Sequence, residues 1–72
     1  MKTILITGIN GYLGSNLAKR YSKKYKIVGL EYDTYDLFRI KDDQFKVFAS
    51  KDGIPDALFK NHEIDGIIHT AT

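Results

Sequence analysis

Three glycines spaced three apart, Gly8, Gly11 and Gly14, sit in the stretch Thr7-Gly8-Ile9-Asn10-Gly11-Tyr12-Leu13-Gly14, between a short apolar run and an amphipathic segment. This junction constrains the fold more than any other part of the chain. A strand that turns sharply into a helix needs a residue tolerant of positive φ. Close approach of a pyrophosphate needs bare backbone, and tight packing of helix on strand needs a missing Cβ; glycine meets all three needs. The start of the following helix then offers unpaired N–H groups to an anion. The spacing is not G-x-G-x-x-G, and no Lys-Ser or Lys-Thr follows the second glycine as a phosphate-binding loop of triphosphate hydrolases requires, so that chemistry is disfavoured. A tight strand-helix connection with no ligand would use the same glycines.

The rest of the chain reads as alternating strands and helices. Residues 2 to 7 form a β-branched apolar run of strand length, continuous enough to be buried on both faces of a parallel sheet. From Tyr12 to about Lys24, Leu13, Leu17 and Tyr21 recur every four residues while Ser15, Lys19, Ser22 and Lys23 fall elsewhere, which predicts one amphipathic helix. Its cationic end, Lys19 to Lys26, is read as a solvated helix C-terminus favoured by the macrodipole. Lys26 to Glu31 and Phe45 to Ala49 are further strands, with at most one helical turn, Leu37 to Ile40, between them. Pro55 suits a helix's first turn, with Asp52 and Gly53 upstream as caps and Ala57, Leu58 and Phe59 as its apolar contacts up to about Asn61. Ile64 to Ala71 closes the pattern as a fourth strand. Right-handed crossovers then give an α/β fold with parallel strand order 3-2-1-4 and helices packed on the sheet.

At 72 residues one small domain is the ceiling. Eleven basic and nine acidic side chains are spread along the chain without forming a stripe, so nucleic acid is not an expected partner. The chain has no cysteine, and His62 and His69 lack companions at ligand spacing, so no metal site is expected. The first apolar run is too short for a signal peptide and nothing approaches a membrane span, which makes a cytoplasmic protein with no membrane partner the expectation.

The segment TGINGYLG directly after an N-terminal strand resembles the signature T-G-x-x-G-[YF]-[IL]-G of the NAD-dependent epimerase/dehydratase family, the extended short-chain dehydrogenases/reductases. The resemblance implies a Rossmann-like domain. In it Gly8, Gly11 and Gly14 shape the turn, Asn10 braces it, and Tyr12 and Leu13 offer backbone N–H groups to pyrophosphate. Glu31, 17 residues after Gly14, stands where such folds carry the acid that accepts hydrogen bonds from the adenosine ribose, with Asp33 as its neighbour and competitor. A carboxylate there repels a 2′-phosphate and the turn holds no Arg or Lys, so NAD is favoured over NADP. Members usually carry Gly-Asp after the third strand, the aspartate meeting the adenine. This chain has Ala49-Ser50-Lys51-Asp52-Gly53, which leaves Asp52 as a shifted equivalent. The end, Asp65 to Thr72, is similar to the family's D-x-V-I-H-x-A-A segment: Ala71 matches a residue lining the cofactor cleft, and Thr72 departs from the pattern. His69 reads as a hydrogen-bonded residue of a buried strand and not as a general base.

Catalysis in the family rests on a Tyr-x-x-x-Lys pair with a Ser or Thr, the lysine lowering the tyrosine pKa. None of the five tyrosines here has Lys four residues later, so no catalytic residue is assigned. Residues 1–72 are therefore expected to be the N-terminal part of a dinucleotide-binding domain, with the catalytic and substrate-binding parts elsewhere in a homo-oligomeric parent enzyme. That enzyme would epimerise, dehydrate or reduce a small-molecule substrate, a nucleotide sugar being the expected class. The alternatives are a non-catalytic dinucleotide-binding regulatory module and a purely structural α/β segment. Standing alone, the outer strands would leave open edges and expose apolar surface, so weak stability or self-association is expected.

Overall fold

The structure is a computed structural model and describes residues 1–40, 45–60 and 62–70. Four strands, β1 (Thr3–Thr7), β2 (Lys26–Glu31), β3 (Lys46–Ala49) and β4 (Gly66–His69), and two helices, α1 (Tyr12–Tyr21) and α2 (Asp56–Lys60), follow one another as β1-α1-β2-β3-α2-β4. All strand pairs are parallel and the order is β3-β2-β1-β4, as the sequence pattern predicts for a partial Rossmann-like fold. The register sets Leu5 beside Val28 and Ile67, and Ile6 beside Gly29 and Ile68. Because successive side chains alternate between faces, this register sorts the core into two layers. Ile6 and Ile27 join Ile9, Ala18 and Ile40 on the side of α1, while Leu5 and Val28 meet Leu58 of α2 on the other. Among the described residues no helix is long and apolar enough to cross a membrane.

Helix α1 departs from the periodicity reading in two ways. It ends at Tyr21, with Ser22 as its C-cap donating its N–H to the Ala18 carbonyl. Its buried residues are Gly14, Ser15 and Ala18, whereas Leu13 is 58% exposed. Leu17 and Tyr21 flank the contact, so the true apolar stripe is narrower and rotated from the one Leu13 suggests, and Ser15 lies inside it. The cause is proximity. A Cβ on Gly14 would lie 2.2 Å from the Gly8 carbonyl oxygen, so the helix sits too close to the turn for a large side chain to point at the sheet there. Ser15 tolerates burial because its hydroxyl donates to the Tyr12 carbonyl at 3.2 Å.

Helix α2 begins after Pro55, whose carbonyl accepts from the Leu58 N–H at 3.1 Å. Asp52 and Gly53 do not cap it. They belong to a separate turn in which Gly53, at φ 104°, donates its N–H to the Ser50 carbonyl. Leu58 is fully buried, but Phe59 is 55% exposed, because a single turn and a half can aim only one side of the helix at the sheet. The turn foreseen around Leu37 to Ile40 is present, closed by the Ile40 N–H on the Leu37 carbonyl, and it buries Ile40 against Ile9 and Ile6.

Gly29 in the middle of β2 has a packing role that periodicity does not reveal. A Cβ there would lie 2.6 Å and 2.7 Å from Cγ2 and Cδ1 of the fully buried Ile9. The glycine makes room for the turn's apolar anchor. Gly29→Ala should cost about 1–3 kcal/mol by overpacking. In an Ile9→Ala background the cost should fall by more than half, and urea denaturation of the four chains of that cycle measures the coupling.

Candidate functional site

The carboxyl ends of the four parallel strands meet at one edge, the edge on which ligands bind in open α/β sheets. A cavity of about 250 Å³ opens there, lined by Thr7, Gly8, Leu30, Glu31, Tyr32, Ser50 and His69. The turn that forms its wall is built by glycine. Gly8, at φ 69°, occupies the left-handed region and donates its N–H to the Leu30 carbonyl at 2.8 Å, stitching the turn to the end of β2. Its own carbonyl accepts from the Gly11 N–H at 2.9 Å, and a Cβ on Gly11 would stand only 3.2 Å from that oxygen. Gly11 is also the N-cap of α1. Among the described residues no side chain caps this helix, and its first turn carries no acidic residue, so the N–H groups at its start are donors of the kind that anions accept from. Both Tyr12 and Leu13 are exposed.

The predicted acid reaches this turn. One Glu31 carboxylate oxygen accepts the backbone N–H of Asn10 in a short hydrogen bond, which holds the carboxylate across the cavity mouth. The Asn10 side chain braces the turn from the other side: its amide N–H donates to the Asp36 carbonyl at 3.1 Å, and its carbonyl oxygen accepts the Arg39 N–H at 2.9 Å. Residue 10 thus joins the glycine turn, the end of β2 and the segment that follows it. Asp33 is placed differently. Its carboxylate accepts the Tyr35 N–H at 3.0 Å and pairs with Lys51 at 3.7 Å, and it is not itself among the lining residues, although Tyr32 and Ser50 are. Asp52 is exposed and is not among the lining residues either. Ala71 lies outside the described residues.

His69 corrects the sequence reading. It is exposed, not buried: Ile67 and His69 lie on the same sheet face as Leu5 and Leu58, but on the edge strand β4, where α2 leaves that face open and Ile67 is 61% exposed. The hydrogen-bond half of the expectation holds, with Nδ1 2.6 Å from the Thr7 hydroxyl. Thr70 ties the strands together one residue later, its hydroxyl donating to the Thr7 carbonyl at 2.6 Å and lying 2.9 Å from where a Gly14 Cβ would fall. Ser50 is a lining residue that the sequence pattern did not single out. Its N–H and hydroxyl both donate to the Glu31 carbonyl, at 2.8 and 3.2 Å, which fixes the backbone of the acid. Its position directly after a strand, at the ligand edge of the sheet, was the available signal.

A second, larger concavity of about 540 Å³ lies at the start of β4, lined by Phe59 and the segment His62 to Ile67. It contains neither the glycine turn nor Glu31. We place the candidate site at the smaller cavity, because Gly8 of the turn and Glu31 line it and the Glu31 carboxylate binds the N–H of Asn10, one residue before the N-cap of α1; Gly11, Tyr12 and Leu13 are not among the lining residues. The model of the NAD dependent epimerase/dehydratase family matches residues 4–72. No curated protein and no solved structure matches the chain.

Proposed function

Because this chain belongs to the NAD-dependent epimerase/dehydratase family, we propose that the cleft at the carboxyl edge of its sheet holds the adenosine and pyrophosphate half of a nicotinamide dinucleotide. The observation that carries this reading is the Glu31 carboxylate, which lines the cavity with Gly8 and binds the glycine turn at the Asn10 N–H, next to the uncapped start of α1. Gly8, Gly11 and Gly14 keep the backbone bare where the phosphates approach, and the N–H groups of Tyr12 and Leu13 donate to them. Asn10 holds the turn in its binding shape. Glu31 uses one oxygen on Asn10 and has the other for the ribose hydroxyls, so the turn and the ribose are positioned by one side chain. Asp33 and Asp52, in the segments after β2 and β3, are the candidates for contacts on the adenine side, and Ala71 is the candidate from the segment after β4.

When bound, the dinucleotide accepts and returns a hydride at its nicotinamide ring. The residues of this chain bind and orient it, and none of them is assigned to acid–base work, since no tyrosine here has Lys four residues later. We assign residues 1–72 to the N-terminal part of a dinucleotide-binding domain whose enzyme acts on a hydroxyl of a nucleotide sugar. The negative charge of Glu31 beside the ribose favours NAD over NADP.

Calorimetric titration with NAD tests the reading. A carboxylate hydrogen bond to a ribose hydroxyl contributes about 1.5–3 kcal/mol, so Glu31→Gln should weaken NAD by about 10- to 100-fold. The amide retains an acceptor for Asn10, so the turn should survive. NAD affinity equal in the two folded proteins would remove Glu31 from the site.

A further inference from the structure

We propose that two copies of this chain pair through the open edge of β4, an inference that stands apart from the dinucleotide reading. Among the described residues no strand lies on the far side of β4, so one side of its backbone has no sheet partner. Proteins blunt such edges with lysine, proline or a bulge. The other edge strand, β3, begins with the exposed Lys46, whereas β4 reads Gly66-Ile67-Ile68-His69 in unbroken register with β1 and carries none of these devices. Ile67 is 61% exposed and shares the wall of the larger concavity with Phe59, itself 55% exposed. On either side of Ile67 along the same face stand Asp65 and His69, both exposed.

The pattern of this edge matches itself. The Asp65 N–H donates to the Thr3 carbonyl, so the odd-numbered residues here turn their backbone groups toward β1, and Gly66 and Ile68 turn theirs outward. A two-fold axis normal to the sheet sets a second β4 antiparallel to the first, and the outward groups meet only in registers that oppose even residues to even residues. The register centred on Ile67 sets Gly66 opposite Ile68 of the second copy, and these exchange backbone hydrogen bonds. The two Ile67 side chains then face each other as a close, non-hydrogen-bonded pair. The same register brings Asp65 of each copy opposite His69 of the other. Asp65 uses one carboxylate oxygen on the Thr3 N–H at 2.8 Å and has a second to offer as acceptor. His69 Nδ1 lies 2.6 Å from the Thr7 hydroxyl, and in the tautomer that accepts the Thr7 proton Nε2 carries a proton to donate. Moving the axis to Gly66 or to Ile68 opposes Ile67 to Asp65 or to His69, and both matches are lost. This acid-isoleucine-histidine order, read against its own reverse, favours a second copy over an unrelated strand.

Sedimentation of the full chain over a range of concentrations reads the association, and Ile67→Lys tests its centre, since Ile67 lies outside the buried core. The expected result is a concentration-dependent dimer that Ile67→Lys weakens by about tenfold or more, because two like charges then stand directly opposite. A circular dichroism melt confirms that the variant folds. Oxidative cross-linking reads the register: the chain has no cysteine, and α-carbons about 4.5 Å apart in a non-hydrogen-bonded pair are within disulfide reach. Ile67→Cys should give a covalent dimer about tenfold faster than Tyr35→Cys, because pairing holds the two thiols at a high effective concentration. Tyr35, in the segment after β2, is 94% exposed and serves as the collision control. A wild-type chain that stays monomeric at about 1 mM overturns the pairing and leaves the edge to a strand from elsewhere in the domain. A dimer that Ile67→Lys leaves unchanged, or equal cross-linking rates for the two cysteine variants, overturns it as well.

Discussion

Gly14→Val should yield a chain that no longer melts cooperatively. A Cβ at this position would lie 2.2 Å from the Gly8 carbonyl oxygen, 2.9 Å from the Gly8 carbonyl carbon and 2.9 Å from the Thr70 hydroxyl. The first two are backbone atoms of a turn fixed by the Gly8 hydrogen bond to Leu30, so no side-chain rotation relieves the clash. Relief requires α1 to lift from the sheet, which uncovers Ala18 and the buried face of Ile9. Overpacking of a core costs about 1–3 kcal/mol, and the separation of packed surfaces adds to it. A chain of this size has only about 4–11 kcal/mol of stability in total, at roughly 0.05–0.15 kcal/mol per residue. Even Gly14→Ala should lower the midpoint of a far-ultraviolet circular dichroism melt by more than about 10 °C, since each kcal/mol shifts such a domain by about 4–8 °C. A Gly14→Ala midpoint equal to that of the wild type would show that the close helix-to-turn contact does not hold the fold.

Leu58→Ala should be the next most damaging change. Helix α2 is five residues long, too short to persist by its own hydrogen bonds, and Leu58 is its buried residue. The side chain closes the second core layer against Leu5 and Val28, both on central strands. Truncation of a fully buried leucine costs about 2–5 kcal/mol. The loss should be read in urea denaturation as a lower midpoint with unchanged slope. A cost below about 1 kcal/mol would mean that α2 contributes little to the sheet it covers.

The strands, their order and the glycine turn were legible in the sequence because each has a local cause. Continuous apolar runs mark the central strands β1 and β2, and a glycine that must adopt positive φ, Gly8, marks the sharp turn between β1 and α1. Strand β2 was legible to the residue, from Lys26 to Glu31, and with it the arrival of Glu31 at the turn. What was misread depends on distance between elements. Leu13 fits the helical period but lies exposed, because the absence of a Cβ on Gly14 brings α1 too near the sheet for a leucine at that angle. His69 was assigned to a buried strand although the face of β4 that carries it is open. The bond between Arg39 and Asn10 and the pairing of Gly29 with Ile9 could not be read at all, because both are contacts across the fold, whereas Ser50 carried a positional signal, directly after β3, that the pattern reading passed over.

The central claim is that the glycine turn and Glu31 together form a dinucleotide site. Titration of the isotopically labelled chain with NAD, followed through its backbone amide resonances, tests it most directly, because the turn's own N–H groups are the proposed contacts. The account expects the largest shifts at Gly8, Gly11, Tyr12, Leu13 and Gly14, with Glu31 moving at the same ligand concentration. A folded chain whose turn amides stay in place at saturating NAD, or whose shifts are confined to His62 through Ile67 at the far end of β4, would contradict it.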